Sequence, residues 1–168
     1  REWRELYAAH DCGAVAAIHP FYTAAVREFE DAGKPIIGSA PVGVEGTNSW
    51  IDSVGDTFNI AKKIIGEAKK KILPQIQKSL DDKKINNKIT VSGYEGSELI
   101  VARTLIEAGA EVPYVGTACP KTKWSTEDKD WLESKGVFVK FRASLEDDIS
   151  AVKSVNPDLA IGTTPVVQ

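Results

Sequence analysis

Apolar positions in the second half of the chain follow two alternating patterns, one typical of buried strands and the other of amphipathic helices. Short runs rich in Val, Ile and Phe predict four strands, at 88–92, 112–116, 136–141 and 158–162. Apolar residues at helical spacing predict helices in the three segments between them, 97–109, 125–136 and 144–155. Four strands joined by three helices predict half of a doubly wound α/β domain with a parallel sheet.

The ends of these predicted helices carry signals of their own. A helix-starting serine is followed three residues later by an aspartate in two places, at Ser125 with Asp128 and at Ser144 with Asp147. This spacing is a variant of the capping box, so each pair is predicted to cap its own first turn. Gly109 and Gly136 lie where helix C-termini need a positive φ.

The start of the chain predicts a β-α-β unit. AVAAIHP (Ala14–Pro20) is an apolar run that ends in proline and is typical of a buried parallel strand. The segment FYTAAVREFEDAG follows with helical spacing and ends at Gly33, and KPIIGSAP predicts a second strand. A β-α-β unit favours a parallel sheet here as well.

Two further helices are predicted between these regions. Thr47 or Asn48 could cap the first of them. The second has isoleucine and leucine near helical spacing over 60–80, with lysines on the opposite face, and contains Pro74, which could kink or split it. A lysine-rich face of this kind is typical of a helix surface in water.

The predicted fold class is therefore α/β, with Rossmann-like parallel sheets flanked by helices in parts of two domains. We expect a partial α/β domain over 1–46, a connecting helical region over 47–86 and a Rossmann-like α/β domain over 87–168. The polar segment DDKKINNK is the predicted boundary before the last of these.

Composition narrows the function classes only slightly. The 168 residues are 42% hydrophobic and 27% charged, which is ordinary for a globular protein, and the net charge of −3 gives no reason to expect nucleic acid or an acidic membrane surface as a partner. Apolar runs are far shorter than the ~20 residues of a transmembrane helix, so we expect a cytoplasmic protein. Because the chain contains no methionine, we also expect it to be an internal piece of a longer polypeptide.

The stretch TVSGYEGSELIVARTLIEAG (Thr90–Gly109) joins a predicted strand to a predicted helix through a glycine turn with the spacing G-x-x-G-x-E. A dinucleotide fingerprint needs G-x-G-x-x-G, and here Tyr94 and Glu95 stand between the glycines. A carboxylate beside the helix N-terminus would repel phosphate, and no Gly-Lys-Ser/Thr of a Walker loop follows. The turn therefore disfavours a nucleotide site.

Parallel sheets bind ligands beyond the carboxyl ends of their strands. The turns after Ser92, Gly116 and Gly162 are expected to share that edge, and all are rich in Thr, Ser or Gly, which suits close packing against a large, rigid ligand. A plainer interpretation stays open, since glycines are common at strand-to-helix turns and Glu95 or Ser97 could merely cap the helix.

Several segments resemble a known family. The chain is similar to nitrogenase-like catalytic subunits in APVGVEGTNSW, which has their P-x-G-x-x-x-T pattern. It resembles the Y subunits of chlorophyllide a reductases, enzymes of bacteriochlorophyll synthesis, in GYEGSELIVARTLIEAGAEVPYVGTACPKTKWS and FRASLEDDISAVKSVNPDLAIGTTPVVQ. The resemblance runs through nearly all of the chain, and GTACPKT, RASLE and IGTTPVVQ are its most specific parts.

The resemblance implies a nitrogenase component-1-like fold and a role in a larger enzyme. Members of this family form a heterotetramer of two Y and two Z subunits, with a 4Fe-4S cluster held between Y and Z. Electrons come from an ATP-hydrolysing iron–sulfur reductase component, subunit X, and reduce the C7=C8 bond of ring B of chlorophyllide a. ATP would be used by that component and not bound here, which agrees with the missing phosphate loop.

The resemblance also implies which residues matter. The family's cluster ligands lie ahead of the region that this chain matches, so we expect no metal ligand here, neither Cys12 nor Cys119, which also lack any CxxC spacing. The implied tetrapyrrole-binding residues are Gly93, Tyr94, Gly96, Ser97, Thr117, Cys119, Thr163 and Thr164. Tyr94 could stack on the macrocycle. Glu95 is the candidate catalytic proton donor if burial favours its protonated form, because reducing a C=C bond needs protons.

Alternatives remain. His10 or His19 could ligate the chlorophyllide magnesium, although His19, next to Pro20, is better explained as a structural histidine. The chain could instead belong to the light-independent protochlorophyllide reductase, to a non-catalytic scaffold that assembles a metal cluster or tetrapyrrole, or to a sugar-binding or glycosyl-transferring double Rossmann protein. The Glu95 turn argues against the nucleotide-sugar site that the last of these needs.

Overall fold

Parallel strands alternate with helices along the chain. The computed structural model describes residues 7–17, 23–38 and 40–167. Its strands form two parallel sheets, one of two strands and one of four, and helices connect them. The predicted α/β class with Rossmann-like parallel sheets is therefore confirmed.

The first sheet is small. Strand β1 (Val15–Ala16) pairs in parallel with β2 (Ile36–Ile37), and helix α1 (Thr23–Asp31) connects them. Gly33 follows the helix with φ +75°, as its predicted position required. The strand predicted over Ala14–Pro20 is confirmed only at β1, and residues 18–22, which include His19, lie outside the described residues. A short 3-10 helix, Ala8–Asp11, precedes β1 and contains His10.

Helix α2 (Gly43–Thr57) begins earlier than predicted. Its N-cap residue is Val42, which makes no side-chain cap bond, and Thr47 and Asn48 lie inside the helix. The prediction that one of them caps it was wrong, because the cap comes from a distant residue. The Glu107 carboxylate accepts the N–H of Val44 in the first turn.

Helix α3 (Lys62–Asp81) continues through Pro74 without being split, and it packs against α2. Its apolar residues are spaced as predicted, yet none of its described residues is buried. Ile64 is 58% exposed and Ile72 39% exposed. A regular apolar pattern here predicted a helix correctly without predicting a buried face.

The second sheet confirms all four strands and all three helices predicted for it. Its elements, in chain order, are β3 (Lys88–Gly93), α4 (Glu98–Glu107), β4 (Glu111–Thr117), α5 (Thr126–Ser134), β5 (Phe138–Phe141), α6 (Leu145–Val155), β6 (Leu159–Ile161) and the short α7 (Thr164–Val167). All pairings are parallel, in the order β5-β4-β3-β6. The chain thus moves outward from β3 to β5 and then returns to the other side of β3.

The reversal determines where the helices lie. Right-handed crossovers in opposite directions place α4 and α5 on one face of the sheet and α6 on the other. The core under α4 and α5 joins strand residues to helix residues that are almost fully buried, among them Ile89, Val91, Leu99, Ala102, Val115 and Leu132. On the other face Asp148 of α6 contacts Tyr114 of β4.

The helix ends confirm one of the two predicted capping boxes. Asp147 accepts the N–H of Ser144 at 2.9 Å and Ser144 accepts the N–H of Asp147 at 3.2 Å. The predicted Ser125–Asp128 box was wrong, because Ser125 closes a capping box with Thr122 in the 3-10 helix Lys123–Ser125. Asp128 instead accepts a hydrogen bond from Arg103 at 2.6 Å. The predicted positive φ values are confirmed at the two helix-ending glycines, Gly109 and Gly136.

None of the helices in the described ranges is both long and apolar enough to cross a membrane.

Candidate functional site

The carboxyl ends of β3, β4 and β6 meet at one edge of the sheet, as their turns were expected to do. Gly93 is the register partner of Thr117, and its carbonyl accepts the N–H of Ala118 at 3.0 Å. On the other side of β3, the Ser92 hydroxyl lies 3.5 Å from the Ile161 carbonyl that it faces. Strand order reverses between β3 and β6, so this edge includes the topological switch point at which such sheets bind ligands.

A cavity of about 280 Å³ opens at the switch point. Its walls come from the end of β3, the glycine loop, the first turns of α4 and the end of β6: Val91, Ser92, Gly93, Tyr94, Glu95, Ser97, Glu98, Val101, Ile161, Gly162 and Thr163. The cavity thus combines branched apolar side chains with hydroxyls and two carboxylates. Its volume is at the small end for ligand pockets, so it can take the edge of a large ligand better than the whole.

Glycines let the two strand ends and the loop approach each other. A Cβ at Gly93 would overlap the Glu98 carboxylate, and one at Gly162 would lie 2.7 Å from the Ser92 hydroxyl oxygen. Gly96 has φ +81°, the left-handed conformation that glycine adopts without strain. The spacing G-x-x-G therefore serves to close this loop over the side chain of Glu98.

Glu98 is the residue that sequence reasoning missed. It is only 5% exposed, and its Oε1 accepts the N–H of Glu95 at 3.0 Å. Its position in the first turn of α4, three residues after Glu95, was the available signal, since an acid there can accept loop N–H groups. The carboxylate that occupies the place of a phosphate is thus that of Glu98, whereas Glu95 is exposed.

The predicted residues of the glycine loop surround this carboxylate. Tyr94 is 49% exposed and lines the cavity, so about half of its surface is available to a ligand. Ser97 is the N-cap residue of α4 but makes no side-chain cap bond, so the interpretation of Ser97 as a simple cap was wrong. Gly96 is buried beneath the loop and is not among the cavity-lining residues.

The predicted residues of the other two turns are divided. Thr163 lines the cavity, whereas Thr164 begins α7 with a side chain outside the described part. Thr117 is fully buried and its Oγ1 accepts the N–H of Cys119 at 3.2 Å. The Cys119 thiol lies 3.8 Å from the Tyr94 carbonyl, so this pair supports the loop from behind the cavity. Burial raises the pKa of the Cys119 thiol, and the charge of Glu98 adds to that shift.

A second buried polar pair lies on the other face of β4, the face that α6 covers. The Tyr114 hydroxyl donates to Asp148 Oδ1 at 2.7 Å. Burial raises the pKa of Asp148, and the negative charges of Asp147 and Glu98 raise it further. Burial and the hydrogen bond to Asp148 also raise the pKa of Tyr114. Like Glu98, Asp148 is therefore a carboxylate that the packing of the sheet and its helices keeps away from water.

The described residues contain no group of three or more His, Cys, Asp or Glu side chains that could hold a metal ion. Cys12 and Cys119 are both free thiols that are partly buried. The described part of the chain therefore does not fit an iron–sulfur cluster by itself, and we derive no chemical step through one.

The fold and the cavity together define a Rossmann-like half-domain with a cavity at its switch point, the place where open parallel sheets bind ligands. Comparison with known proteins identifies the group: residues 1–168 match the profile of the nitrogenase component 1 type oxidoreductases. The chain belongs to this family.

Its relatives include chlorophyllide reductase and protochlorophyllide reductase chains. The chain is 60% identical over its whole length to the chlorophyllide reductase 52.5 kDa chain of Cereibacter sphaeroides and 61% identical to that of Rhodobacter capsulatus. It is 25% identical, over 88% of its length, to the light-independent protochlorophyllide reductase subunit N of Prochlorococcus marinus. The chain spans 34% of the length of each of the first two relatives and 36% of the third.

The fold also matches a solved structure, that of nitrogenase Cp1 at pH 6.5. The two superpose with a TM-score of 0.60 at 19% sequence identity, over 90% of this chain and 34% of the other. At this identity the likeness concerns the fold alone.

Proposed function

We propose that this chain is part of the Y subunit of a chlorophyllide a reductase, which carries out the ATP-dependent two-electron reduction of the C7=C8 bond of ring B in bacteriochlorophyll synthesis. The observation that carries the proposal is the identity of 60% and 61%, over the whole chain, to two chlorophyllide reductase chains. The light-independent protochlorophyllide reductase relatives reach only 25% to 27%.

The proposed enzyme needs more than this chain. A 4Fe-4S cluster would be held by residues outside these 168, together with a Z subunit, and would supply electrons. The ATP-hydrolysing reductase component, subunit X, would deliver them. The glycine loop supports this division of roles. Glu98 already accepts the loop N–H that a phosphate would need, so ATP would bind to another component.

The switch-point cavity would face one edge of the macrocycle. Tyr94, which is half-exposed, offers an aromatic face to a flat π-ligand, and the small, hydroxyl-bearing Ser97 and Thr163 allow close approach. Glu95 would act as the proton donor. It lines the cavity, so it can contact the pigment, but it is exposed in the structure, so the burial that favours a protonated carboxyl would have to come from the bound pigment.

The reaction itself can be tested with the full-length protein assembled with its Z partner, the reductase component, ATP and a reductant. With chlorophyllide a as substrate we expect a bacteriochlorin product, which absorbs well to the red of a chlorin. Conversion of protochlorophyllide to a chlorin, with chlorophyllide a left unchanged, would overturn the assignment.

The role of Glu95 can be tested in the same assembly. E95Q keeps the size of the side chain but removes its acid, so we expect product formation to slow by roughly a hundredfold, the scale of a lost general acid, with pigment binding nearly intact. Turnover equal to that of the unmodified enzyme would remove Glu95 from the mechanism.

A further inference from the structure

Two polar oxygens at the switch-point cavity have no hydrogen-bond partner within the described ranges. They are Oε2 of Glu98 and Oγ1 of Thr163, and both atoms are buried. A buried polar atom left unpaired costs about 1–3 kcal/mol, so proteins rarely keep one without a use. Both residues line the same cavity, so the two unpaired oxygens belong to one site.

Glu98 is held in a fixed orientation. Its Oε1 accepts the N–H of Glu95 at 3.0 Å, its side chain is 5% exposed, and the glycine at position 93 leaves it just enough room. With one oxygen committed to the loop, the carboxylate has only its second oxygen to offer. One oxygen of the Glu98 carboxylate would therefore bind the loop, and the other would bind the ligand.

Thr163 stands across the cavity at the end of β6. Gly162 beside it lets that strand end approach Ser92 closely, which brings the threonine toward the glycine loop. A hydroxyl can donate as well as accept, whereas an ionised carboxylate can only accept. The two residues thus offer complementary hydrogen-bonding positions.

We propose that Glu98 and Thr163 form a hydrogen-bonding subsite for the ligand of the switch-point cavity, in which Glu98 Oε2 accepts from a donor that the ligand brings and the Thr163 hydroxyl donates to a ligand oxygen. The proposal rests on the proposed function, which makes that ligand a magnesium chlorin. Glu98 is also a positioning residue for the loop that carries Tyr94 and Glu95.

The chemistry of the subsite limits its ligands. A carboxylate at the N-terminus of α4 disfavours anions there, so the edge that enters must be neutral or cationic and rich in oxygen. The donor can be a water that bridges Glu98 to a carbonyl at the edge of the pigment. This water presents an O–H group to Oε2.

Three variants of the full-length complex separate the two duties of Glu98. E98Q keeps an oxygen for the Glu95 N–H but turns the second acceptor into a donor, whereas E98A removes both. T163V removes only the hydroxyl. E127Q, which makes the same change at an exposed glutamate in the first turn of α5, outside the cavity-lining residues, is the matched control, and we expect it to bind pigment as tightly as the unmodified complex.

The readout is the dissociation constant of chlorophyllide a, measured by its absorption or fluorescence change without ATP or reductant. We expect E98Q to weaken binding about tenfold to a hundredfold, the range of a hydrogen bond to a charged group, and T163V about threefold to tenfold. Hydrogen exchange of the 93–97 loop should stay slow in E98Q and become fast in E98A.

Each outcome has a defined meaning. Binding by E98Q within twofold of the unmodified complex would overturn the subsite, and if E98Q fails to assemble, unchanged binding by T163V would overturn it instead. Repeating the titration with the magnesium-free pigment should leave the penalty of E98Q unchanged, because the bridging water binds at the edge of the macrocycle; a penalty that disappears would overturn the bridging water as the donor. An unmodified complex that binds no chlorophyllide a would refute the proposed function, not the subsite.

Discussion

The ion pair between Arg103 of α4 and Asp128 of α5 offers the sharpest test of how this domain is held together. The two side chains are 2% and 4% exposed, and Nη1 of the arginine lies 2.6 Å from Oδ1 of the aspartate. The guanidinium carbon also lies 4.7 Å from the centre of the Trp131 ring. The pair therefore joins the two helices that cover one face of the sheet.

Removing either partner leaves a buried charge without its main counterion. R103M keeps the long apolar stem against Trp131 but deletes the guanidinium, and we expect it to destabilise the domain by about 3–5 kcal/mol, as does D128N. In the double variant neither charge remains, so its cost should fall short of the sum of the single costs by at least about 2 kcal/mol.

Local hydrogen exchange is the better assay, because it reports on these two helices directly, whereas global unfolding averages over the whole protein. Peptides from α4 and α5 should lose protection in each single variant and regain part of it in the double variant. E133Q, which breaks the exposed pair of Lys129 with Glu133 on the same helix, is the control and should leave exchange unchanged. Losses in the double variant equal to the sum of the single losses would refute the reasoning.

Two further predictions concern the other face of the sheet. A Cβ at Gly116 would overlap Asp148 Oδ1 and lie 2.7 Å from the Tyr114 hydroxyl, so G116A should separate that hydrogen-bonded pair and cost about 1–3 kcal/mol, seen as faster exchange in β4 and α6; protection equal to the unmodified protein would contradict this. Lys140 lowers the pKa of Asp147 from 3.8 to about 2, so the stabilisation from Asp147 is complete above its ordinary pKa and is lost as pH falls toward 2. The difference in exchange protection of α6 between the unmodified protein and D147N should shrink over that interval, and a constant difference would count against it.

The strands and helices of the second sheet could be predicted from sequence because their apolar residues are buried where the periodicity requires. Caps were less predictable, since a cap depends on competition with tertiary partners. Asp147 pairs with Lys140 through Oδ1 and still forms the expected box, because it accepts the N–H of Ser144 through Oδ2. Asp128 instead pairs with Arg103, and Ser125 forms its box with Thr122. No pattern near position 47 could show that Glu107, far along the chain, caps α2.

The location of the candidate site could be predicted from the sequence, whereas the side chains that line it could be predicted less well. Parallel strands put their carboxyl ends at one edge, so the meeting of the turns after Ser92, Gly116 and Gly162 followed from topology alone. Which side chain enters the cavity depends on how the loop folds back. Glu95, between the two glycines, was predicted to be the carboxylate beside the helix N-terminus. In the structure the loop closes over Glu98 and leaves Glu95 exposed.

The presence of Glu98, and not Glu95, at the anion position affects which ligands the fold can bind. Glycine turns of this kind bind phosphate because their N–H groups and the following helix N-terminus are free to face an anion. Here the chain provides its own anion, since Glu98 accepts the Glu95 N–H from a position in the first turn of α4. An occupied anion position removes the electrostatic reason for a nucleotide to bind and leaves apolar walls, an aromatic ring and hydroxyls for the ligand. A flat pigment edge with few charges meets those conditions, so under the proposed function the glycine turn would serve a ligand opposite in character to a nucleotide phosphate.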